Sequence, residues 1–353
     1  MVAGEYAVLE PNQSLVVTAV DRFIFVSIEK AKDNELNLKD FQLNKMNWTF
    51  DGARVKLSIE EERTSFVEKA MEVSLRYLTE QSVELYPVSI SIRSELDDPS
   101  GYKYGLGSSA AVVTGVVTAL LTKFLASQPQ EEIIFKLAAI AHVSVQGSGS
   151  GADIAASTYG GILEYKSFQA KWLQEQMKQT KEITKLLHKP WTYLHIKPLQ
   201  FPKDWKMIVG WTGNPASTAK LVPQVLAYKN TNENQFNNFV EQSAKSVQDI
   251  LAGIKEHNKE LFFRGVRSNR EALARIGELS RVPIETPLLY NLQEIAQRNG
   301  AVGKLSGAGG GDCGIAFTTA EDISQRIKKE WAEAGIKNLE LTHYAQGAKK
   351  TQS

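Results

Sequence analysis

The sequence predicts an α+β protein that is divided into two lobes. The chain has 353 residues, 42% of them hydrophobic, which is enough for a large core and for two lobes. Some segments have the β-branched and aromatic content of strands, and others place apolar residues at the helical period. Between about residues 195 and 205 the pattern loosens around two prolines. We therefore expect one lobe over residues 1–198 and a second over residues 199–353.

The first lobe is predicted to begin with strands and to continue mainly with helices. The strand assignments rest on β-branched and aromatic content or on strict alternation of polar and apolar residues. The helix assignments rest on apolar residues that recur on one face or on apolar runs of helical length. The predicted strands are at residues 15–20, 23–28 and 88–92, and the predicted helices at 64–78, 112–121 and about 130–145.

The second lobe is predicted to begin with a strand and to end with strand, helix and strand. Thr286 and Pro287 indicate the start of a helix, with threonine as N-cap and proline at the first helical position. The polar tail 347–353 is expected to be disordered. The predicted strands are at residues 207–211, 315–318 and 339–344, and helices are predicted around 236–251, from 286 and over 321–334.

Composition excludes several classes of function. The 41 Lys and Arg residues balance 40 Asp and Glu residues, which argues against a mainly electrostatic nucleic-acid binder. The single cysteine, Cys313, excludes an internal disulfide and a cysteine-based metal cluster, so a reducing, cytosolic setting fits. The longest apolar stretch, residues 110–121, is too short to span a bilayer, and we expect no membrane partner. The five histidines show no metal-ligand spacing and are assigned no role.

The most informative segment, motif two, is Gly105-Leu106-Gly107-Ser108-Ser109-Ala110-Ala111. Glycines allow a backbone to approach a bulky anion, and the apolar run that follows places the last amides at a helix N-terminus, which favours phosphate. The spacing matches neither the nucleotide P-loop, which needs a lysine before the hydroxyl residue, nor the dinucleotide fingerprint. The alternative is an ordinary glycine-rich turn with a serine cap.

Two further motifs, together with motif two, carry a resemblance to a known family. Motif one is residues 3–9 (Ala-Gly-Glu-Tyr-Ala-Val-Leu), and motif three is residues 306–312 (Ser-Gly-Ala-Gly-Gly-Gly-Asp). The three motifs, in this order, resemble those of the GHMP kinases over almost the whole chain. Tyr102-Lys103-Tyr104 before motif two, the block 307–314 and Trp211-Thr212-Gly213 are similar to bacterial members that phosphorylate 5-phosphomevalonate.

The resemblance implies a two-lobed GHMP kinase fold and a phosphoryl transfer. The first lobe would be like the second domain of ribosomal protein S5, the second would be ferredoxin-like, and ATP with Mg²⁺ would meet a small-molecule acceptor between them. The expected acceptor is 5-phosphomevalonate. The alternatives are mevalonate kinase or another GHMP small-molecule kinase, a decarboxylase of the same fold, and a non-catalytic GHMP-like binding protein. The sequence leaves open whether the chain acts alone or as a homodimer.

The resemblance also implies roles for particular residues. Lys103 would neutralise the transferred phosphate, and Asp153 would orient the acceptor or act as a base; the alternatives are a solvated loop lysine and a helix N-cap. The serines have turn formation as their alternative. The residues implied to bind ATP are Gly105, Leu106, Gly107, Ser108, Ser109 and Ala110, with Mg²⁺ on Ser109, and those implied to bind the acceptor are Ser148, Ser150, Ser217, Ser306 and Ala308.

One feature departs from the family pattern. In the family, a strand with Pro-Gly-Lys-Leu precedes motif one, whereas here Met1 falls just before Ala3-Gly4-Glu5. The lysine of that strand would be expected near the acceptor or the phosphates.

Overall fold

Runs of strands and runs of helices follow one another in the computed structural model, which describes residues 1–41, 43–59, 61–96, 104–214 and 218–351. The strands are β1 (Ser14–Thr18), β2 (Ile24–Lys30), β3 (Glu35–Leu38), β4 (Leu43–Phe50), β5 (Val55–Leu57), β6 (Val88–Ser94), β7 (Ile162–Lys166), β8 (His195–Leu199), β9 (Lys206–Trp211), β10 (Val302–Leu305), β11 (Cys313–Thr318) and β12 (Lys337–Leu339). The helices are α1 (Ser65–Glu80), α2 (Ser108–Phe124), α3 (Glu131–Gln146), α4 (Ala152–Tyr159), α5 (Ala170–Gln179), α6 (Ile183–His188), α7 (Thr218–Thr231), α8 (Glu233–Lys255), α9 (Lys259–Ser280), α10 (Pro287–Arg298) and α11 (Glu321–Glu333).

A five-stranded sheet in the order β2-β6-β3-β4-β5 supports the N-terminal helices. Its pairs are antiparallel except for β3 and β6, which run parallel. Ile90 of β6 and Met46 of β4 are fully buried in one apolar cluster with Met71 of α1 and Leu120 of α2. The motif-two helix α2 is thereby fixed against the sheet by burial of its apolar face.

A smaller antiparallel sheet, β1-β7-β8, joins the two halves of the chain. Val16 of β1 and Ile162 of β7 are buried in a cluster that also contains Val209 of β9 and Ile315 of β11. The region where the sequence pattern loosens therefore contains strand β8, paired with β7. The division of the chain at residues 198 and 199 stays a prediction.

The C-terminal sheet has the strand order β10-β11-β9-β12 and is antiparallel throughout. Numbered from β9, this order is 2-3-1-4, which is the ferredoxin-like arrangement read from the opposite edge. Helices α7 to α10 connect β9 to β10, and α11 connects β11 to β12. The ferredoxin-like fold expected for the second lobe is confirmed.

Most elements predicted from the periodicity are present, with shifted ends. The capping prediction is confirmed, because α10 begins at Pro287 and the Thr286 hydroxyl accepts a hydrogen bond from the Leu289 amide at 3.4 Å. The sequence reading missed β3, β4 and β5, although Leu36, Trp48 and Leu57 lie in stretches that alternate buried and more exposed residues.

The end of the chain differs from the prediction. The last predicted strand is present as β12, but its predicted bounds of 339–344 are wrong, because β12 ends at Leu339. Residues 340–348, the C-terminal segment, return to the first half of the chain, where the Tyr344 amide donates to Ala19 O at 3.0 Å. The Ala348 amide donates to Ser157 O at 2.9 Å, so the disorder expected from residue 347 onward is also wrong at this position. Backbone pairing with distant residues holds this polar segment in place.

Candidate active site

All three motifs line one cleft of about 1730 Å³. Its lining includes Glu5 and Tyr6 of motif one, residues 105–109 of motif two, and residues 306–308 of motif three. The loop 146–151 and the C-terminal segment complete its walls. Segments separated by about three hundred residues in the chain therefore meet at one cavity, as expected for a ligand site.

Motif two forms the turn into α2, and its glycines are required by geometry. Gly105 has φ +75°, and a Cβ atom there would lie 2.5 Å from Cγ of Asp312. Gly107 has φ +80°, and a Cβ atom there would lie 3.2 Å from Cβ of Asp153. The loop is thus packed between two acidic residues, one of them in motif three, and only glycine fits both positions without strain.

The N-terminus of α2 faces the cleft. Gly107 is the N-cap, and no side chain caps the helix. Ser108 and Ser109 are half-buried in the cleft wall, whereas the Ala110 side chain is buried in the core. The first backbone N–H groups of a helix have no intrahelical partner and carry the positive end of its dipole. The serine-cap alternative is therefore wrong, and among the described residues no partner occupies the amides of the first turn, which can meet an anion.

The hydroxyl of Ser109 is engaged by a histidine that the sequence reading left without a role. Ser109 Oγ lies 3.1 Å from His142 Nε2. His142 is 4% exposed, and burial lowers the pKa of its imidazole, an effect that the charge of Asp153 opposes. Burial thus favours the uncharged form of the ring. No sequence signal could have found this contact, because the two residues lie on different helices, 33 positions apart.

Asp153 lies in the first turn of α4 and lines the cleft beside motif two. Gly151, and not Asp153, is the N-cap of that helix, so the capping alternative is wrong. Asp153 Oδ1 accepts a hydrogen bond from the Ile154 amide at 3.0 Å. Its carboxylate is thereby held next to Gly107, where it can meet a ligand of the phosphate loop.

The residues implied to bind the acceptor are partly brought together. Ser148 is exposed, and Ser150 is 9% exposed, with Oγ accepting from the Ala152 amide at 3.3 Å. Across the cleft, Ser306 Oγ donates to Met1 O at 2.9 Å, and Ala308 O accepts from the Tyr6 hydroxyl at 2.6 Å. All four line the cleft. Lys103 and Ser217 lie outside the described residues, so their roles stay predictions.

A buried ion pair joins motif one to the strand before motif three. Lys304 Nζ lies 2.5 Å from Glu5 Oε1, and the two side chains are 0% and 1% exposed. Lys304 also donates to Leu305 O at 2.6 Å, and burial lowers the pKa of its ammonium group. The sequence reading missed this pair, which ties together two walls of the cleft.

Three cationic side chains among the described residues also line the cleft. Lys229 is paired with Glu10 at 2.7 Å, and Arg22 donates to two backbone carbonyls, those of Asp21 and Glu340. Lys171, at the second position of α5, forms no ion pair with any described residue. The Lys171 ammonium group can therefore pair with an anionic ligand in this part of the cleft.

The acidic and hydroxyl side chains of the cleft can bind Mg²⁺ only if a bound nucleotide supplies further oxygen ligands. Within the described ranges, no group of three or more His, Cys, Asp or Glu side chains converges as a metal site. Mg²⁺ is usually bound through one or two carboxylates and the phosphates of a nucleotide. The Ser109 hydroxyl within motif two and the Asp153 carboxylate beside it are both oxygen donors that line the cleft, and they fit that coordination.

Cys313 has a structural role. It is 4% exposed, its Sγ donates to Tyr104 O at 3.2 Å, and burial raises the pKa of its thiol to about 12. Such a thiol is not a nucleophile at neutral pH.

No described helix is both long enough and apolar enough to cross a membrane.

Comparison with known proteins agrees with this geometry. The family model for the GHMP kinases N terminal domain matches residues 65–161, and that for the GHMP kinases C terminal domain matches residues 250–337. A phosphomevalonate kinase from Streptomyces sp. (strain CL190) is 31% identical over 361 residues, with 98% of this chain and 95% of the relative covered. The chain belongs to the GHMP kinase family, and the predicted family and fold are confirmed.

Two solved structures are similar over nearly the whole chain. The Lin0012 protein from Listeria innocua is 37% identical, with a TM-score of 0.92 and coverage of 97% of this chain and 94% of that one. Phosphomevalonate kinase from Streptococcus pneumoniae, in complex with phosphomevalonate and AMPPNP, is 25% identical, with a TM-score of 0.83 and coverage of 97% and 96%. The latter structure holds phosphomevalonate and AMPPNP together.

Proposed function

We propose that this protein transfers the γ-phosphoryl group of ATP to 5-phosphomevalonate and so forms 5-diphosphomevalonate. The observation that carries the proposal is the N-terminus of α2, which opens through a glycine loop into the cleft that all three motifs share. The relatives named above support the choice of substrates. The single cysteine and the use of ATP as donor support a cytoplasmic location.

Such a reaction depends on the alignment of two anionic reactants and on stabilisation of the charge of the transferred group. The amides of Gly105 to Ala110 bind the ATP phosphates at the positive end of the α2 dipole. Lys103 neutralises charge on the transferred group. Ser109 and Asp153 would hold Mg²⁺, which would supply positive charge to the phosphate oxygens. Asp153 orients the reactants and need not act as a base, because a phosphate acceptor is already ionised.

The acceptor lies opposite the nucleotide in this proposal. Ser148, Ser150, Ser217, Ser306 and the amide of Ala308 bind its carboxylate and phosphate. Lys171 supplies positive charge on the same side, because Gln174, one turn further along α5, donates to Gly147 O at 2.9 Å and ties this helix to the 146–151 loop. A cation at this position favours a phosphorylated acceptor over mevalonate.

A coupled ADP-release assay with each acceptor in turn tests the proposal. We expect turnover with 5-phosphomevalonate and much slower turnover with mevalonate. Faster turnover of mevalonate would assign the protein to mevalonate kinase activity instead. No acceptor-dependent ADP release would favour a binding protein, and carbon dioxide release from diphosphomevalonate would identify a decarboxylase.

Two lysine variants test the assigned roles. Lys103→Ala should lower kcat about a hundredfold, by loss of electrostatic stabilisation in the transition state. Lys171→Ala should raise KM for 5-phosphomevalonate by about tenfold with little change in kcat, since the contact is made in both ground and transition states. Lys178→Ala, on the last turn of the same helix and outside the cleft, is the matched control. Equal KM values for the Lys171 and Lys178 variants would remove Lys171 from the site.

A further inference from the structure

We infer that His142 is a positioning residue for the Mg²⁺ site: its Nε2 atom accepts a hydrogen bond from the Ser109 hydroxyl and so directs the oxygen lone pairs of Ser109 toward the cation. The inference rests on the proposed function, because it takes Ser109 as a ligand of the Mg²⁺ that arrives with ATP. It assigns a role to a buried side chain that the transfer chemistry itself does not use.

Packing fixes the histidine in place. His142 projects from α3, is 4% exposed, and lies with its ring centroid 5.0 Å from that of Phe66 on α1. Its Nε2 atom is 3.1 Å from Ser109 Oγ on α2. Ser109 itself is half-buried in the cleft wall. The imidazole also belongs to the cleft lining, and it holds the Ser109 hydroxyl from the α3 side, as an outer-shell partner of a metal ligand would.

The chemistry depends on which atom carries the shared proton. A serine hydroxyl has one proton and two lone pairs, and it rotates to suit its surroundings. If Nε2 accepts that proton, both lone pairs are free for a cation. If Nε2 carries a proton and donates it, the hydroxyl proton turns toward the cleft and suits a phosphate oxygen rather than Mg²⁺. The first tautomer predicts that His142 strengthens the binding of Mg²⁺ with the nucleotide. The second predicts that His142 strengthens nucleotide binding without Mg²⁺.

The nearby carboxylate does not turn this group into a hydrolytic triad. Asp153 is the charged residue whose field acts on His142. Its Oδ1 accepts from the Ile154 amide, and across the described residues no hydrogen bond links its carboxylate to the imidazole. Ser109 is thus not activated as a nucleophile in the manner of a hydrolase. The contact positions the hydroxyl and adds no covalent step.

The test is the Mg²⁺ dependence of binding of a fluorescent, non-hydrolysable ATP analogue to the full chain. His142→Phe keeps the aromatic packing but accepts no hydrogen bond, and it should raise the Mg²⁺ concentration for half-maximal binding by about tenfold. His142→Gln retains an acceptor oxygen within reach and should stay within about threefold of the parent protein. Binding of the analogue without Mg²⁺ should be the same in all three proteins.

A double-variant comparison shows whether His142 acts through Ser109. In a Ser109→Ala background, His142→Phe should produce no further shift in the Mg²⁺ midpoint, because there is no hydroxyl left to position. His188→Phe is the control: His188 is exposed, and its ring is hydrogen-bonded to Thr184 O within its own helix. It should leave the midpoint and the turnover unchanged.

Several results would overturn the inference. The first is an unchanged Mg²⁺ midpoint for nucleotide binding in folded His142→Phe, and the second is a further shift of that midpoint when His142→Phe is added to Ser109→Ala. The third is loss of Mg²⁺-free binding of the analogue in His142→Phe. The fourth is a folded His142→Gln variant whose midpoint shifts as much as that of the Phe variant. Circular dichroism establishes folding in each case. No acceptor is present in these titrations, so failure of 5-phosphomevalonate as substrate would leave their outcome intact and would show only in the turnover assay.

Discussion

Removal of the charge of Lys304 tests how motif one is joined to motif three. The ammonium group and the carboxylate of Glu5 are 2.5 Å apart in a region that excludes solvent from both side chains. Lys304→Met would remove the ion-pair partner of that carboxylate, whose second oxygen, Oε2, has no hydrogen-bond partner among the described residues. Breaking a buried pair from one side costs about 3–5 kcal/mol, so we expect the free energy of unfolding to fall by about 4 kcal/mol.

The control is the half-exposed pair of Lys229 and Glu10, whose side chains are 33% and 22% exposed. Lys229→Met should cost about 1 kcal/mol or less, because water solvates the remaining carboxylate. The double variant Glu5→Met/Lys304→Met removes both charges of the pair and should recover to within about 2 kcal/mol of the parent protein. Urea unfolding of all four proteins measures these differences. Equal costs for Lys304→Met and Lys229→Met would refute the reasoning.

Three further predictions follow from the cleft. Gly107→Val should abolish nucleotide binding in a folded protein, because its Cβ atom would lie 3.2 Å from Asp153 at a φ of +80°; normal affinity in a titration would contradict the loop assignment. Tyr6→Phe removes the hydrogen bond to Ala308 O and should cost about 1 kcal/mol of stability and raise KM for the acceptor; unchanged values of both would separate Tyr6 from the site. Cys313 should resist a thiol reagent at pH 8 until the protein is denatured, since its thiol pKa is about 12; rapid labelling of native protein would show an exposed thiolate.

The sequence predicted the parts of the fold that depend on local pattern. Helices such as α1 and α10 have strong periodicity or an N-cap followed by proline, and both are determined by nearby residues. Motif two could be assigned to a helix N-terminus because glycine and apolar content change within a few residues. The C-terminal segment could not be predicted, because the backbone partners that order it, such as Ala19 and Ser157, are far away in the chain.

The candidate site, like the fold, was predictable from the sequence only where the signal is local. The glycine loop and Asp153 were found because their sequence context carries the signal. The contacts of His142 with Ser109 and of Lys304 with Glu5 span 33 and 299 positions, and neither residue type is unusual where it occurs. Their pairing depends on how α2, α3, motif one and β10 pack together, and that packing is a property of the tertiary structure.

A crystal structure with an ATP analogue and 5-phosphomevalonate bound together is the most direct test of how this cleft works. We expect the β- and γ-phosphates within hydrogen-bond distance of the amides of residues 105–110, and the acceptor's phosphate facing them from the side of Ser148 and Ser150. A nucleotide bound away from motif two, or an acceptor on the outer surface of either lobe, would contradict the proposed transfer.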